Sequence, residues 1–173
     1  MTTWNPLLLD QLTVHWEYAL RPRLAGLTDE EYHWEPVPGA WTVRADGIDF
    51  EYPEPQPAPV TTIAWRLGHV VVGVLAMRNA SHFGGPPADY ATWSYALTAD
   101  DALAQLDREV AVWRAGVTTL GDEGLLRPCG PAEGPYADQP LAALVLHIHR
   151  ELIHHGAEIC LLRDLYLRRE TLT

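Results

Sequence analysis

The sequence has no apolar run of the roughly 18 residues needed to cross a bilayer. That excludes a helical membrane protein. The N-terminal stretch "MTTWNPLLLDQL" has neither a positive leader region nor a small-residue cleavage site, so no secretory signal is expected and the expected compartment is cytoplasmic. Cysteine is scarce. Cys129 and Cys160 make neither a disulfide framework nor a paired zinc-knuckle spacing. Basic residues are few, 12 against 23 acidic ones, and the net charge of −11 argues against nucleic acid as a partner. It favours a small molecule, a metal ion or another protein. No run of alternating β-branched residues lies between hairpin turns, so no strong strand is expected. Gly-x-Ser-x-Gly is missing, and Cys129 has no activating pattern beside it. No internal repeat, low-complexity tract or domain linker interrupts the chain.

What is present is helical. A chain of 173 residues suits a single domain, spanning 1–173, with a sizeable core. The first helix is expected to start at Asn5 with Pro6 at its first position, and Leu8, Leu12, Trp16, Ala19 and Leu20 follow a helical period. Pro22 predicts a kink or break near Leu20. "TDEE", Thr28 to Glu31, reads as a capping box. The segment from Trp34 to Val60 is rich in proline and glycine and reads as a long loop. Its Trp34, Trp41, Phe50 and Tyr52 argue that parts of it pack down, and such loops often border functional sites. A nearly apolar second helix follows, capped by Thr61 or Thr62 and stopped by "FGGPP". Thr98 and Asp101 cap a third, whose Leu103, Leu106, Val110, Trp113, Val117 and Leu120 form a bundle seam, with Gly121 at its end. After a second Gly/Pro loop, a fourth helix runs from about Pro140 to Arg168. The expected fold is therefore all-α: a four-helix bundle with long Gly/Pro-rich loops.

The fourth helix contains the anomaly. In "HRELIHHGAEICLLRDL" (149–165), Glu151 and His155 sit in or beside the apolar stripe made by Leu144, Ile148, Leu152, Ile159 and Leu162. With about 100° per residue, the two lie one turn apart on one face, while His149 and Cys160 point the other way. A buried carboxylate has to be paired, neutralised or bound to a metal. A divalent cation accepts a Glu oxygen and a His nitrogen at this spacing, and a third ligand is needed from a neighbouring helix. His69, in "WRLGHVVVGV", is the candidate. Gly68 and Gly73 beside it allow a backbone or ligand to come close. His69, Glu151 and His155 would then make a two-His-one-carboxylate face with open positions. Plain alternatives stand beside this: a hydrogen-bonded core histidine at 69, and a simple buried polar pair at 151 and 155. His147, His154 and Glu158 flank the stripe as orienting groups, as surface, or, for His154, as an alternative ligand if the helix is rotated. Zn, Ni, Fe and Mn all tolerate this donor set. Cys129, in "RPCGPAEGPY", reads as a small buried hydrophobe.

Taken together, "RLGHV" in helix two and "ELIHHGAEI" followed by "LLRDL" in helix four make the chain resemble the DinB-like superfamily over most of its length. "WTVR" is similar to the corresponding segment of actinobacterial branches. Members of that superfamily usually hold a metal with three ligands, often all histidine, which map here onto His69, Glu151 and His155. Glutamate at the middle position matches the mycothiol-dependent maleylpyruvate isomerase branch, whose zinc is held by two histidines and a glutamate. The resemblance therefore implies zinc, or nickel as the alternative, and a low-molecular-weight thiol such as mycothiol. The isomerase's additional C-terminal domain has no counterpart here, which turns the expectation away from maleylpyruvate as substrate.

Three functions follow. The first is a metal- and thiol-dependent transferase or isomerase taking a small-molecule thiol and an electrophile, its pocket shaped by Trp41, Trp65 and Tyr136. The second is a metal-dependent hydrolase, with His154 or Glu158 as base. The third is a non-enzymatic, metal-binding stress-response module. A homodimer is the expected assembly if a helix seam is left exposed.

Overall fold

The computed structural model describes residues 3–171. Four long helices carry most of the buried apolar side chains, and they meet in one continuous core. Helix one comprises Trp4–Val14, a π-helical stretch His15–Leu20 and a closing turn Arg21–Arg23. Helix two comprises Ile63–His69, a second π-helical stretch Val70–Ala76, and Met77–Phe83. Helix three is Ala99–Leu125 and helix four is Leu141–Leu167. Helix one packs on helix three, and helix two packs on helices three and four. The seam residues Leu103, Leu106, Val110, Trp113 and Val117 are all buried. No helix among the described residues is long and apolar enough to cross a membrane.

Most boundaries follow local chemistry. The capping box of Thr28 and Glu31 forms in full around the short helix Asp29–Tyr32. Thr98 caps helix three and also donates its hydroxyl to Asp101. Gly84, with φ of 69°, ends helix two in the left-handed region that glycine adopts without cost. Gly121, at φ 59°, breaks the regular run of helix three one turn before its last residue.

Helix one departs from the expectation in two ways. It begins at Trp4, because Asn5 is used elsewhere: its side chain is buried and donates to the Val117 carbonyl of helix three at 2.8 Å. Nor does Pro22 break it. The chain widens into a π-register, in which the Arg21 N–H bonds back five residues to the Trp16 carbonyl. The ladder accommodates a residue without an N–H by shifting register upstream of it. Helix two widens in the same manner immediately after His69, with Met77 N–H on the Val72 carbonyl.

The long loop also contains pairing that the sequence did not announce. Val43–Arg44 and Gly47–Ile48 form a small antiparallel hairpin. Two residues per strand are too few to show alternation. The hairpin is tied down by Asp49, which receives Thr42 N–H at 2.9 Å and pairs with Arg44. The loop then feeds helix two through a buried joint. Thr62 is fully buried, accepts the Trp65 N–H at 3.1 Å as N-cap, and donates to Thr42 Oγ1 at 3.0 Å. Thr62→Val keeps the shape and removes both bonds. It is expected to lower stability by about 2 kcal/mol. The denaturation midpoint should fall with an unchanged slope; a midpoint that does not move would show that this joint does not hold the loop.

Candidate metal centre

Helix four presents Glu151 and His155, and His154 and Glu158, each pair four residues apart, and helix two brings His69 against them. The His69 and His155 rings meet edge to face, centroids 4.7 Å apart. His155 is buried and lies at the centre. Its Nε2 is 3.5 Å from Glu151 Oε2, and its Nδ1 is 2.7 Å from Glu158 Oε2. Among the described residues, His154, His155 and Glu158 bring one donor atom each within 4.8 Å of one another, a His/His/Glu group able to hold a divalent cation. His154 itself is largely exposed, with Nε2 3.5 Å from Glu158 Oε1. His147 Nδ1 stands 3.4 Å from Glu151 Oε1 and accepts Arg150 Nη2 at 2.6 Å.

The two histidines are held from behind. His69 Nδ1 lies 2.6 Å from the Tyr90 hydroxyl, and its ring stacks on Trp65 at 5.4 Å. Trp65 is in turn fixed by its indole N–H on the Asp49 carbonyl at 2.8 Å, and Trp41 leans on it at 6.0 Å. His155 Nδ1 is held by Glu158, which Arg66 backs at 3.3 Å. Burial, and then the charges of His155 and Arg66, push the His69 imidazole down to about 4. It is therefore neutral at physiological pH, the form that ligates metals. Burial pulls the Glu158 carboxyl upward, but the His155 hydrogen bond and Arg66 outweigh it and leave it below the ordinary carboxylate range.

The expected pocket residues fall in two places. Trp65 stacks on His69, and Trp41 lies behind Trp65. Tyr136 lies over a separate cavity whose wall includes His147 and Arg150. His149, expected to point away from the ligand face, does so, yet it is fully buried against Trp113 of helix three. Helix four is covered on two faces, and a one-face reading of its period could not show that. Tyr90 and Arg66 carry roles that the sequence reading did not assign. Arg66 lies three residues before His69 in "WRLGH", where the i, i+3 rule could have placed it on the same face. Tyr90 comes from an irregular segment with no period to read. Gly73 makes its approach feasible: a Cβ there would overlap the Tyr90 hydroxyl.

Cys129 is buried, its Sγ on the Pro140 carbonyl at 3.5 Å, and burial followed by Glu133 pushes its thiol up. It is a small buried group with weakened acidity, as its loop context suggested.

No curated protein and no solved structure gives a significant match to the chain. A family model described as the DinB superfamily matches residues 49–159, which is more than half of the chain and includes every histidine and carboxylate of this cluster. The chain belongs to the DinB superfamily.

Proposed function

We propose that the protein is a divalent-metal-dependent transferase or isomerase that uses a low-molecular-weight thiol, with His69, Glu151 and His155 as the metal ligands. The observation that supports Glu151 and His155 as a ligand pair is the 3.5 Å between His155 Nε2 and Glu151 Oε2, and His69 is added because its ring meets His155 at 4.7 Å. The 3.5 Å separation is too long for a good N–H···O hydrogen bond. It equals the spacing of about 3.4 Å between two donors that share one tetrahedral ion at bonds of about 2.1 Å. The 2.7 Å from His155 Nδ1 to Glu158, by contrast, is a hydrogen-bond length. Glu158 therefore suits the part of a carboxylate that orients a ligating histidine. Tyr90 does the same for His69: Nδ1–H donates to the phenolic oxygen, and the lone pair of Nε2 is left for a cation. Among the described residues, the side-chain hydrogen bond of His69 is made at Nδ1, which agrees with that assignment.

A bound zinc or nickel ion would supply a Lewis acid that keeps a thiol ionised near neutral pH. The thiol has to come from outside the chain, since Cys129 is buried with a raised pKa and Cys160 lies half-buried at the edge of the core. Mycothiol is the thiol that the two-His-one-Glu ligand set suggests, by its similarity to the mycothiol-dependent branch. Trp65, backed by Trp41, stacks on one face of the His69 ring, and Arg66 pairs with Glu158.

The test is metal content after purification without added metal or a histidine tag. Wild type is expected to carry about one equivalent, lost in His69→Ala, Glu151→Ala and His155→Ala and kept in His154→Ala. Loss in His154→Ala with retention in His69→Ala would move the site to the His154, His155 and Glu158 group. The loaded protein should consume a small thiol together with 1-chloro-2,4-dinitrobenzene, and do so at least a hundredfold more slowly in His155→Ala. Metal-free wild type, or turnover indifferent to thiol, overturns the reading.

A further inference from the structure

A cavity of about 700 Å³ lies between the end of helix two, the turn Pro131–Tyr136 and the first turns of helix four. That volume suits a small organic ligand. Its floor includes Ala143 and Leu144 of helix four, and Tyr136 stands exposed at its edge. Its charged lining is Arg78, Arg150 and Glu133, and His147 also lines it. In a chain of net charge −11, with no lysine at all, this is a wall where cations outnumber carboxylates.

The arginines also have donors to spare. Arg78 is anchored by Nη1 on the Gly73 carbonyl at 2.6 Å. Its Nη2 forms an ion pair with Glu133 at 3.6 Å, longer than a hydrogen bond, and its buried Nε has no hydrogen-bond partner among the described residues. Glu133 is already engaged by His82 at 2.9 Å. Arg150 stands at the rim, two-thirds exposed, and among the described residues it reaches Glu151, at a loose 3.4 Å, and His147. An under-satisfied guanidinium in a concave, partly apolar site is the chemistry that selects a carboxylate.

We infer that this cavity binds a small carboxylate with a short alkyl or aryl body, its acid group on Arg150 and Arg78. The cavity adjoins Glu151 through His147 and Arg150, both 3.4 Å from Glu151 Oε1. The acid group held by Arg150 therefore lies at the side of the cavity that faces Glu151.

The probe is 4-phenylbutyrate, titrated by calorimetry beside its neutral amide. Wild type is expected to bind the acid at least tenfold more tightly than the amide. Arg150→Gln, at an exposed position, should erase that preference. Ala143→Trp, which fills the cavity, should abolish binding of both while metal content stays at one equivalent. Equal affinity for acid and amide, no binding of either, or a preference that survives Arg150→Gln overturns the inference. Metal content on the same samples separates the two claims: acid-selective binding in a protein without metal would reject the metal centre and keep the cavity.

Discussion

Tyr90→Phe is expected to weaken metal binding by about 10- to 100-fold while leaving the fold intact, the usual effect of removing a group that orients a ligating histidine. Among the described residues, the Tyr90 hydroxyl, 2.6 Å from His69 Nδ1, is the side-chain group hydrogen-bonded to that ring. Burial pushes the phenol up to about 12, so it remains a neutral hydroxyl across the working range. Gly73→Ala should reproduce the loss from the opposite side. On helix propensity alone this substitution would gain about 1 kcal/mol. The new Cβ, however, occupies the place of the Tyr90 hydroxyl, and Tyr90, on an exposed segment, has room to swing away. Stability should therefore change little while affinity falls. The double variant should be no worse than either single one, because both remove the same hydrogen bond. Competition against a chelator of known affinity checks all three. Full affinity in Tyr90→Phe would show that the bond to His69 is incidental.

His149→Leu should stabilise the protein, most strongly in acid. His149 is fully buried, neither ring nitrogen has a partner among the described residues, and neither does the Trp113 indole N–H that it faces. Leucine fills similar space without the unpaired polar atoms, for an expected gain of about 1–3 kcal/mol at neutral pH. Burial pushes the folded-state imidazole from 6.5 down to about 4. The unfolded chain therefore binds the proton first. Stability from this group is complete above pH 6.5 and is lost as pH falls from 6.5 towards 4, by about 3 kcal/mol in all. His69 is shifted in the same direction and adds to the same acid limb. The advantage of His149→Leu should thus widen between pH 7 and pH 4.5, as read from denaturation midpoints. An advantage that stays constant over that range would mean that His149 does not titrate on unfolding.

The legibility of the chain divides by physical scale. The four helices, their Thr62 and Thr98 caps, the capping box at Thr28 and the glycine stop at Gly84 were readable because they follow from neighbouring residues alone. So was the adjacency of Glu151 and His155, since four residues make one turn. The two π-helical stretches were not readable. They differ from α-helix by a shift of one residue in the hydrogen-bond ladder, which leaves no clear mark on the apolar period. The hairpin at Val43–Ile48 was too short to show a period.

The sequence by itself therefore determined an all-α chain and the faces of its helices. It also placed the unusual carboxylate and imidazoles on helix four and named His69 as the residue to look for beside them. Only the tertiary structure decided that the His69 and His155 rings meet, that Tyr90 and Glu158 hold their Nδ1 atoms, that His149 is buried, and that two arginines face a cavity next to Glu151. The physical reason is range. Hydrogen bonds and apolar periods along one helix are set within a few residues, whereas these contacts join segments far apart in the chain and exist only once the packed core has fixed which helices are neighbours.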